Sequence, residues 1–413
     1  MKILAIANSP SAFHRLKLPL SKLGADFATK LTEELFKNYD SVWFHYKTMV
    51  HPTELSMWRL KYGTQIVMDI DDTWNIPLNH PSYEVLKETS KWSKQFAIIA
   101  DWVVCSTSEV EKMVMPYNEN TLVVPNRIPY GEGQYHVIQE SEEDFMNRKI
   151  RIGFCGSISH LEDWESISGK LKRVLSDGEV KSKCEFVVCG FPKNIKISES
   201  MIEKGTAYAK AKGMDVNKVL DYMEKSHIKR NTDHWNKIKF ALGKPILIEN
   251  RPVENYIDLY REIDILLCPL VDNDLNRKKS GLKIFEAACT NTLCILGEMY
   301  RDIEECSTVH LFEDWYNNIK FLIKDKEKLY DMKMKTSEYI RNLYDYRTDC
   351  VLPRQEILGK KRQLDLNIWG ITYKEDQQTE YKQYHNTINS IADKSYFFEA
   401  NVMAKLFKHI NNE

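Results

Sequence analysis

The sequence predicts an α/β protein of two domains, each a parallel sheet wrapped by helices. Three observations predict it. Apolar runs of strand length alternate with amphipathic stretches of helical period along the first 345 residues. Two of those runs, at residues 2–8 and 150–155, each open onto a polar turn before a helix, as the first strand of a doubly wound sheet does. At 413 residues the chain also exceeds one ordinary core and fits two domains of about 200 each.

The bulk numbers exclude several classes. Hydrophobic content of 43% and a net charge of −1 describe a globular chain with no global pull toward nucleic acid or membrane. Nine cysteines, mostly inside apolar runs and with no C-x-x-C pair, read as small buried hydrophobes in a reducing compartment. No signal-peptide core opens the chain, and no run approaches the roughly 18 apolar residues of a membrane span. The expected location is the cytoplasm.

In order, residues 2–8 form a strand, then the turn Ser9-Pro10-Ser11 leads into a helical stretch carrying Arg15 and Pro19. Arg15, at the first strand-to-helix turn, is placed to hold an anionic or hydroxyl-rich group, or is a surface arginine of an amphipathic helix. A strand at 41–46, a helix at 53–62 and a strand at 65–70 follow, the last ending in Asp69-Ile70-Asp71-Asp72. Asp69-Ile70-Asp71 spells a D-x-D, which in a single mixed sheet would hold a divalent metal. A chain of two α/β repeats favours another reading, in which Asp71 and Asp72 end a parallel strand and face the ligand crevice. A carboxylate there can orient a hydroxyl group or stabilise developing positive charge. An Asp-rich cap of the helix at 83–100 is the bland alternative. Strands at 102–108 and 122–127 complete the first domain, and the charged, aperiodic residues 131–149 read as a linker.

The second domain opens on Ile150 to Cys155 and the turn Gly156-Ser157, whose backbone amides can meet a phosphate. A helix at 162–175 and a strand at 184–190 follow. Residues 193–244 are helical in pattern and hold twelve Lys or Arg against six acids. That excess reads first as a solvated face, and more sharply as a docking surface for a polyanion, nucleic acid included. Next come a strand at 246–249, a helix at 253–261 and the apolar strand Ile265–Cys268, which Pro269 ends. The polar loop 272–279 leads to Ser280-Gly281 and a helix through Cys289. Ser280 can cap that helix, and Gly281 admits a close approach. Lys279 and Lys283 add charge to the helix start, and Glu286 lies where a carboxylate can grip a vicinal diol. The set suits a diphosphate carrying a ribose. A strand at 291–296, helices at 314–325 and 328–344, and a polar tail at 365–413 complete the chain.

These residues carry a resemblance. Lys279, Ser280, Lys283 and Glu286 resemble the donor-binding motif of GT4-type retaining glycosyltransferases of the GT-B fold, with Glu286 at the second Glu of the motif and Lys278 in place of the first. Pro125-Asn126, Arg15, Pro19, and Gly156-Ser157 with His160 and Asp163 match the family more loosely. Asp71 and Asp72 resemble the His-Asp pair of phage DNA α-glucosyltransferases. The resemblance implies two Rossmann-like domains facing across a cleft: an acceptor domain at 1–130, a linker at 131–149, and a donor domain at 150–345 with the basic insert 193–244. The tail 346–413 would return to the first domain.

The activity it implies is metal-independent, retaining transfer of a sugar from a UDP- or GDP-linked donor to a hydroxyl acceptor, with no cofactor. Gly156, Ser157, Lys279, Ser280, Gly281, Leu282 and Lys283 would hold the diphosphate, Glu286 the ribose, and His160 and Asp163 the donor site. Asp71, Asp72 and Arg15 would be catalytic. The acceptor would be a glycan, a lipid-linked sugar or a hydroxymethylated DNA base. A nucleotide-sugar 2-epimerase and a non-catalytic sugar-nucleotide-binding module are the alternatives.

Overall fold

Runs such as Ile3–Ile6 and Leu293–Leu296 are apolar at every position, which suits strands covered on both faces. In the computed structural model they are the inner strands of two parallel six-stranded sheets. The structure describes residues 1–7, 9–46, 48, 50–75, 92–137, 140–156, 160–192, 195–197, 199–211, 213–302 and 311–362. The chain divides into two compact units. Of the described residues, one holds Met1–Arg127, Arg277–Ser280 and those from Asp345 to Arg362; the other holds Ile128–Asn276 and Gly281–Tyr344.

The sheet of the first unit comprises β1 (Ile3–Ile6), β2 (Asp26–Ala28), β3 (Ser41–His45), β4 (Gln65–Ile70), β5 (Trp102–Cys105) and β6 (Thr121–Val123). Their spatial order is β2-β1-β3-β4-β5-β6, so the winding reverses between β1 and β3. Side-chain alternation splits its core in two. Leu4, Ile6, Val42, Phe44, Met68 and Phe96 pack on one face, and Ile3, Ala5, Leu16, Trp43 and Val67 on the other. The three residues of β2 are half or fully exposed and form no apolar run, which is why the sequence does not announce them.

Residues 345–362 are fastened to this sheet by buried polar bonds. Arg354 donates to Asp69 at 3.1 Å, Gln65 donates to the Ile357 and Lys360 carbonyls at 2.7 and 2.8 Å, and Asp101 accepts from the Arg362 amide at 2.7 Å.

The second sheet comprises β7 (Ile150–Cys155), β8 (Cys184–Phe191), β9 (Ile246–Glu249), β10 (Ile265–Cys268), β11 (Leu293–Leu296) and β12 (Leu311–Phe312). The order β9-β8-β7-β10-β11-β12 is the 3-2-1-4-5-6 winding of a dinucleotide-binding sheet, reversing between β7 and β10. The charged stretch 131–149, expected to be a linker without period, is folded. Ser141 caps the helix Glu142–Met146, and Phe145 is fully buried in the core of the second unit. Its charges are tied down too. Arg148 pairs with Asp264 at 2.7 Å, and Lys333 reaches the same carboxylate at 2.5 Å.

The basic insert forms the helices Glu199–Ala211 and Val216–Ala241, and Trp235 and Ile238 of the second are buried in the core. The two helices cross closely at Gly205, where a Cβ would meet Met223 Sδ at 2.7 Å. No described helix is long and apolar enough to cross a membrane. Part of the expected helix at 83–100 and the tail at 365–413 lie outside the described residues.

Candidate functional site

In an open parallel sheet, ligands bind beyond the carboxyl ends of the strands where the winding reverses. Both units place their chemistry at that point.

In the first unit, β3 and β4 run in register with His45 opposite Asp69, so the residues just beyond them meet. His45 Nε2 lies 2.9 Å from Asp71 Oδ1, and its Nδ1 lies 3.4 Å from Ser9 Oγ, which follows β1. Tyr46 turns the chain with φ 56°, a left-handed conformation costly for an aromatic residue, and such strain gathers at functional sites. Ser106 Oγ donates to the Asp71 carbonyl at 2.9 Å.

The two neighbouring carboxyls separate electrostatically. Burial alone would raise Asp71, but His45, Arg15 and His14 hold it down at about 2. Burial pushes Asp72 up to about 6, assisted by Asp71 and opposed by Lys279, the Thr73 amide and Lys278. Two acids driven apart in this way can divide proton-handling and charge-stabilising roles.

Arg15 stands apart from both readings of its sequence position. It is 1% exposed, and its guanidinium binds Asp69 at 2.6 and 3.2 Å, the Val124 carbonyl at 2.7 Å and Asn126 Oδ1 at 3.0 Å. A π-helical turn, Phe13–Lys17, carries Arg15 inward. Both Asp69 oxygens are thus occupied by arginines, so the first carboxylate of Asp69-Ile70-Asp71 is bound within the fold. Ser280 departs from expectation as well. Gly281 is the cap of the short helix Leu282–Ala288, without a side-chain capping bond, and Ser280 Oγ instead accepts from Asn126 Nδ2 at 2.8 Å. Lys279 and Ser280 cluster with the first unit, whereas Gly281, Leu282 and Lys283 cluster with the second.

In the second unit, Gly156 follows β7, and a Cβ placed there would lie 3.1 Å from Lys283 Nζ. That ammonium sits 5.0 Å from the centroid of the Phe154 ring. Across the reversal, Asp163 accepts from His160 Nδ1 at 2.8 Å, from the Val271 amide at 3.0 Å and from Asn276 Nδ2 at 2.9 Å. Asp163 is 2% exposed, so of the expected pair it is His160 that it orients, while it ties down the loop after β10. Glu286 is 5% exposed and accepts from both the Tyr256 and Tyr260 hydroxyls. Burial pushes it up to about 7 despite those donors and Lys283. Ser157 lies outside the described residues.

The sequence reading missed His45, Tyr46, Tyr256 and Tyr260. His45 had a signal, since it ends the strand beside the one that Asp71 directly follows; the two tyrosines of the irregular turn before β10 had none.

The glycine turn also makes a stability prediction. Gly190 has φ +93°, and a Cβ there would sit 2.6 Å from the Gly156 carbonyl oxygen. Gly190→Ala should cost about 1–3 kcal/mol, through left-handed strain and displacement of the Gly156 turn. A thermal melt should show a loss of about 2–8 °C.

Two units, each with a parallel sheet and its polar residues at the reversal point, define the two-domain Rossmann-like fold of the GT-B class. No protein-family model matches the chain, and no curated protein matches it. Solved structures do. HepE from Anabaena, in complex with UDP-glucose, superposes with a TM-score of 0.54 at 12% identity, covering 86% of this chain and 99% of that one. Sucrose-phosphate synthase from Thermosynechococcus elongatus gives 0.52 at 11% identity, over 86% and 98% of the two chains. The fold is shared with these proteins.

Proposed function

We propose that the protein is a glycosyltransferase moving a sugar from a nucleotide diphosphate sugar to a hydroxyl acceptor, with retention of configuration and without a metal ion. The observation that carries this reading is the second unit's reversal point, where Gly156, Lys283 and Glu286 converge on a fold shared with a UDP-glucose-bound protein. Lys279, Ser280, Gly281, Leu282 and Lys283, with Gly156 and Ser157, hold the diphosphate in this reading. Glu286 holds the ribose, and His160 lies on the donor side.

As the bond from the anomeric carbon to the diphosphate breaks, negative charge grows on the leaving group. Cations already in place stabilise it more in the transition state than in the ground state. For the configuration to be retained, the acceptor oxygen forms the new bond on the same face that the diphosphate leaves and gives up its proton there, for which Asp72, pushed up to about 6, is the base on offer. Asp71, held ionised beside His45, stabilises positive charge on the sugar. Arg15 acts through Asp69 and Asn126 and is a positioning residue.

The test is thermal stabilisation of the full chain by UDP- and GDP-linked sugars, with EDTA and then with Mn²⁺. A shift for one donor in EDTA supports the reading; no shift for any donor sinks it. Release of nucleotide diphosphate with a changed sugar, and no acceptor present, would point instead to the epimerase.

Asp72→Asn should lower turnover about 100-fold, within the range of one general base. Donor binding should be unchanged, and at saturating donor, where the Glu286 affinity step near 7 does not limit the rate, the acid limb of turnover near pH 6 should disappear, because activity requires the ionised Asp72. An unaltered pH profile would remove Asp72 from the chemistry. An anionic acceptor is the partner this reading gives to the insert, where Lys218 and Lys229 are exposed on the helix that carries Tyr222, while Lys225 pairs with Asp221 at 2.8 Å. Binding to duplex DNA that does not weaken with salt would count against that.

A further inference from the structure

Glu286 is an unusual ligand for a hydroxyl-rich group, because both its oxygens already accept hydrogen bonds. Tyr256 and Tyr260 lie four residues apart on the 3₁₀ turn Tyr256–Glu262, and the hydroxyl of each donates to a different oxygen of the carboxylate. Tyr260 is 2% exposed, and Tyr256 is half-buried. A carboxylate offers about four acceptor positions, two on each oxygen. The tyrosines therefore take one on each side and leave one on each side.

We propose that Tyr256 and Tyr260 are positioning residues that aim Glu286 at a vicinal diol, presenting one remaining acceptor position per oxygen to the 2′- and 3′-hydroxyls of a ribonucleotide. This rests on the donor-site reading above and goes further in naming what fixes the orientation of the carboxylate. Two rigid rings hold it in one rotamer, so a nucleotide need not supply that ordering on binding. The same donors favour the charged form, the one that accepts from both hydroxyls.

The described titratable groups facing Glu286 are Tyr256 and Tyr260 on the 3₁₀ turn, Lys283 on its own helix, Cys289 just past that helix and Cys155 at the end of β7. Both tyrosines and both thiols are raised above their ordinary values, chiefly by burial, and stay neutral while the carboxyl titrates near 7.

The test is calorimetric binding of UDP, GDP and their 2′-deoxy analogues to the full chain, at pH values on either side of 7. The wild type should prefer a ribonucleotide to its deoxy form, and affinity should fall as pH drops through the Glu286 transition. Tyr256→Phe and Tyr260→Phe should each lose about tenfold in ribonucleotide affinity, the worth of one charge-assisted bond, and little in deoxynucleotide affinity. Each should also move the pH midpoint upward, because the charged carboxylate has lost a donor. Glu286→Gln should remove the pH step.

Phenylalanine variants that keep both the ribose preference and the midpoint would overturn the proposal and leave the donor site standing. A wild type that binds no nucleotide, or does not distinguish ribose from deoxyribose, would overturn the reading beneath it and the proposal with it. If Tyr260→Phe fails to fold by circular dichroism, Tyr256→Phe decides alone, since its ring is half-buried.

Discussion

Asp69→Ala should destabilise the first unit by about 3–5 kcal/mol, the cost of removing one partner from a buried ion pair. Asp69 is fully buried between Arg15 at 2.6 Å and Arg354 at 3.1 Å, both 1% exposed. Without the carboxylate, two guanidinium groups lie close together with only Asp71, which makes no hydrogen bond to them, to offset their charge. Arg354 already sits lower than an ordinary arginine through burial and the nearness of Arg15. The loss should appear as a lower midpoint in denaturant and as premature exposure of residues 345–362 in hydrogen exchange, because Arg354 is one of their anchors. A variant with wild-type stability would mean that water reaches the arginines. Asp69→Asn should cost less, since an amide oxygen still accepts.

Glu286→Ala should weaken nucleotide binding about 100-fold. Two hydrogen bonds from ribose hydroxyls to a charged group are lost, worth about 1.5–3 kcal/mol together after the cost of ordering, and each 1.4 kcal/mol is a factor of ten. Part of the effect is indirect, because the Tyr256 and Tyr260 hydroxyls lose their common acceptor. Calorimetry with UDP and GDP on Glu286→Ala and Glu286→Gln separates the two. The glutamine keeps an acceptor for a tyrosine and should recover part of the affinity. Unchanged affinity in the alanine variant would remove Glu286 from the donor site.

Stability across pH has a related sign. The Glu286 carboxyl titrates at about 7 in the folded chain against an ordinary value of 4.5. Its contribution to stability is therefore fully present below its unfolded value and is lost as pH rises through the folded one. Asp71, held at about 2, contributes in the opposite sense, and its share is lost only in strong acid.

The inner strands of both sheets were legible because each is built around an apolar run that has few other places to go, whereas the edge strands β2 and β12 carry no such run. The helix after β10 and the carboxylate at Glu286 were legible through local spacing, since residues within two turns of a helix stay neighbours in any fold. What failed to show was of two kinds. Residues 131–149 looked like a linker because their charges repel burial, yet Arg148 and Lys333 are balanced by Glu140 and Asp264, the last more than a hundred residues from Arg148. Ser280 looked like a helix cap, yet Asn126 claims its hydroxyl.

The sequence by itself determined the class of fold, its parallel sheets and the helical spacing of Lys283 and Glu286. All of these follow from periodicity and from contacts between near neighbours. Only the tertiary structure decided the rest. It put Arg15 in the core rather than at a ligand, set His45 against Asp71, split Asp71 from Asp72 in acidity, and placed two tyrosines on Glu286. Each of these depends on which strand ends lie side by side and on how much water is excluded there. Burial and long-range pairing set the charge state of a side chain, and neither is written in its immediate neighbours.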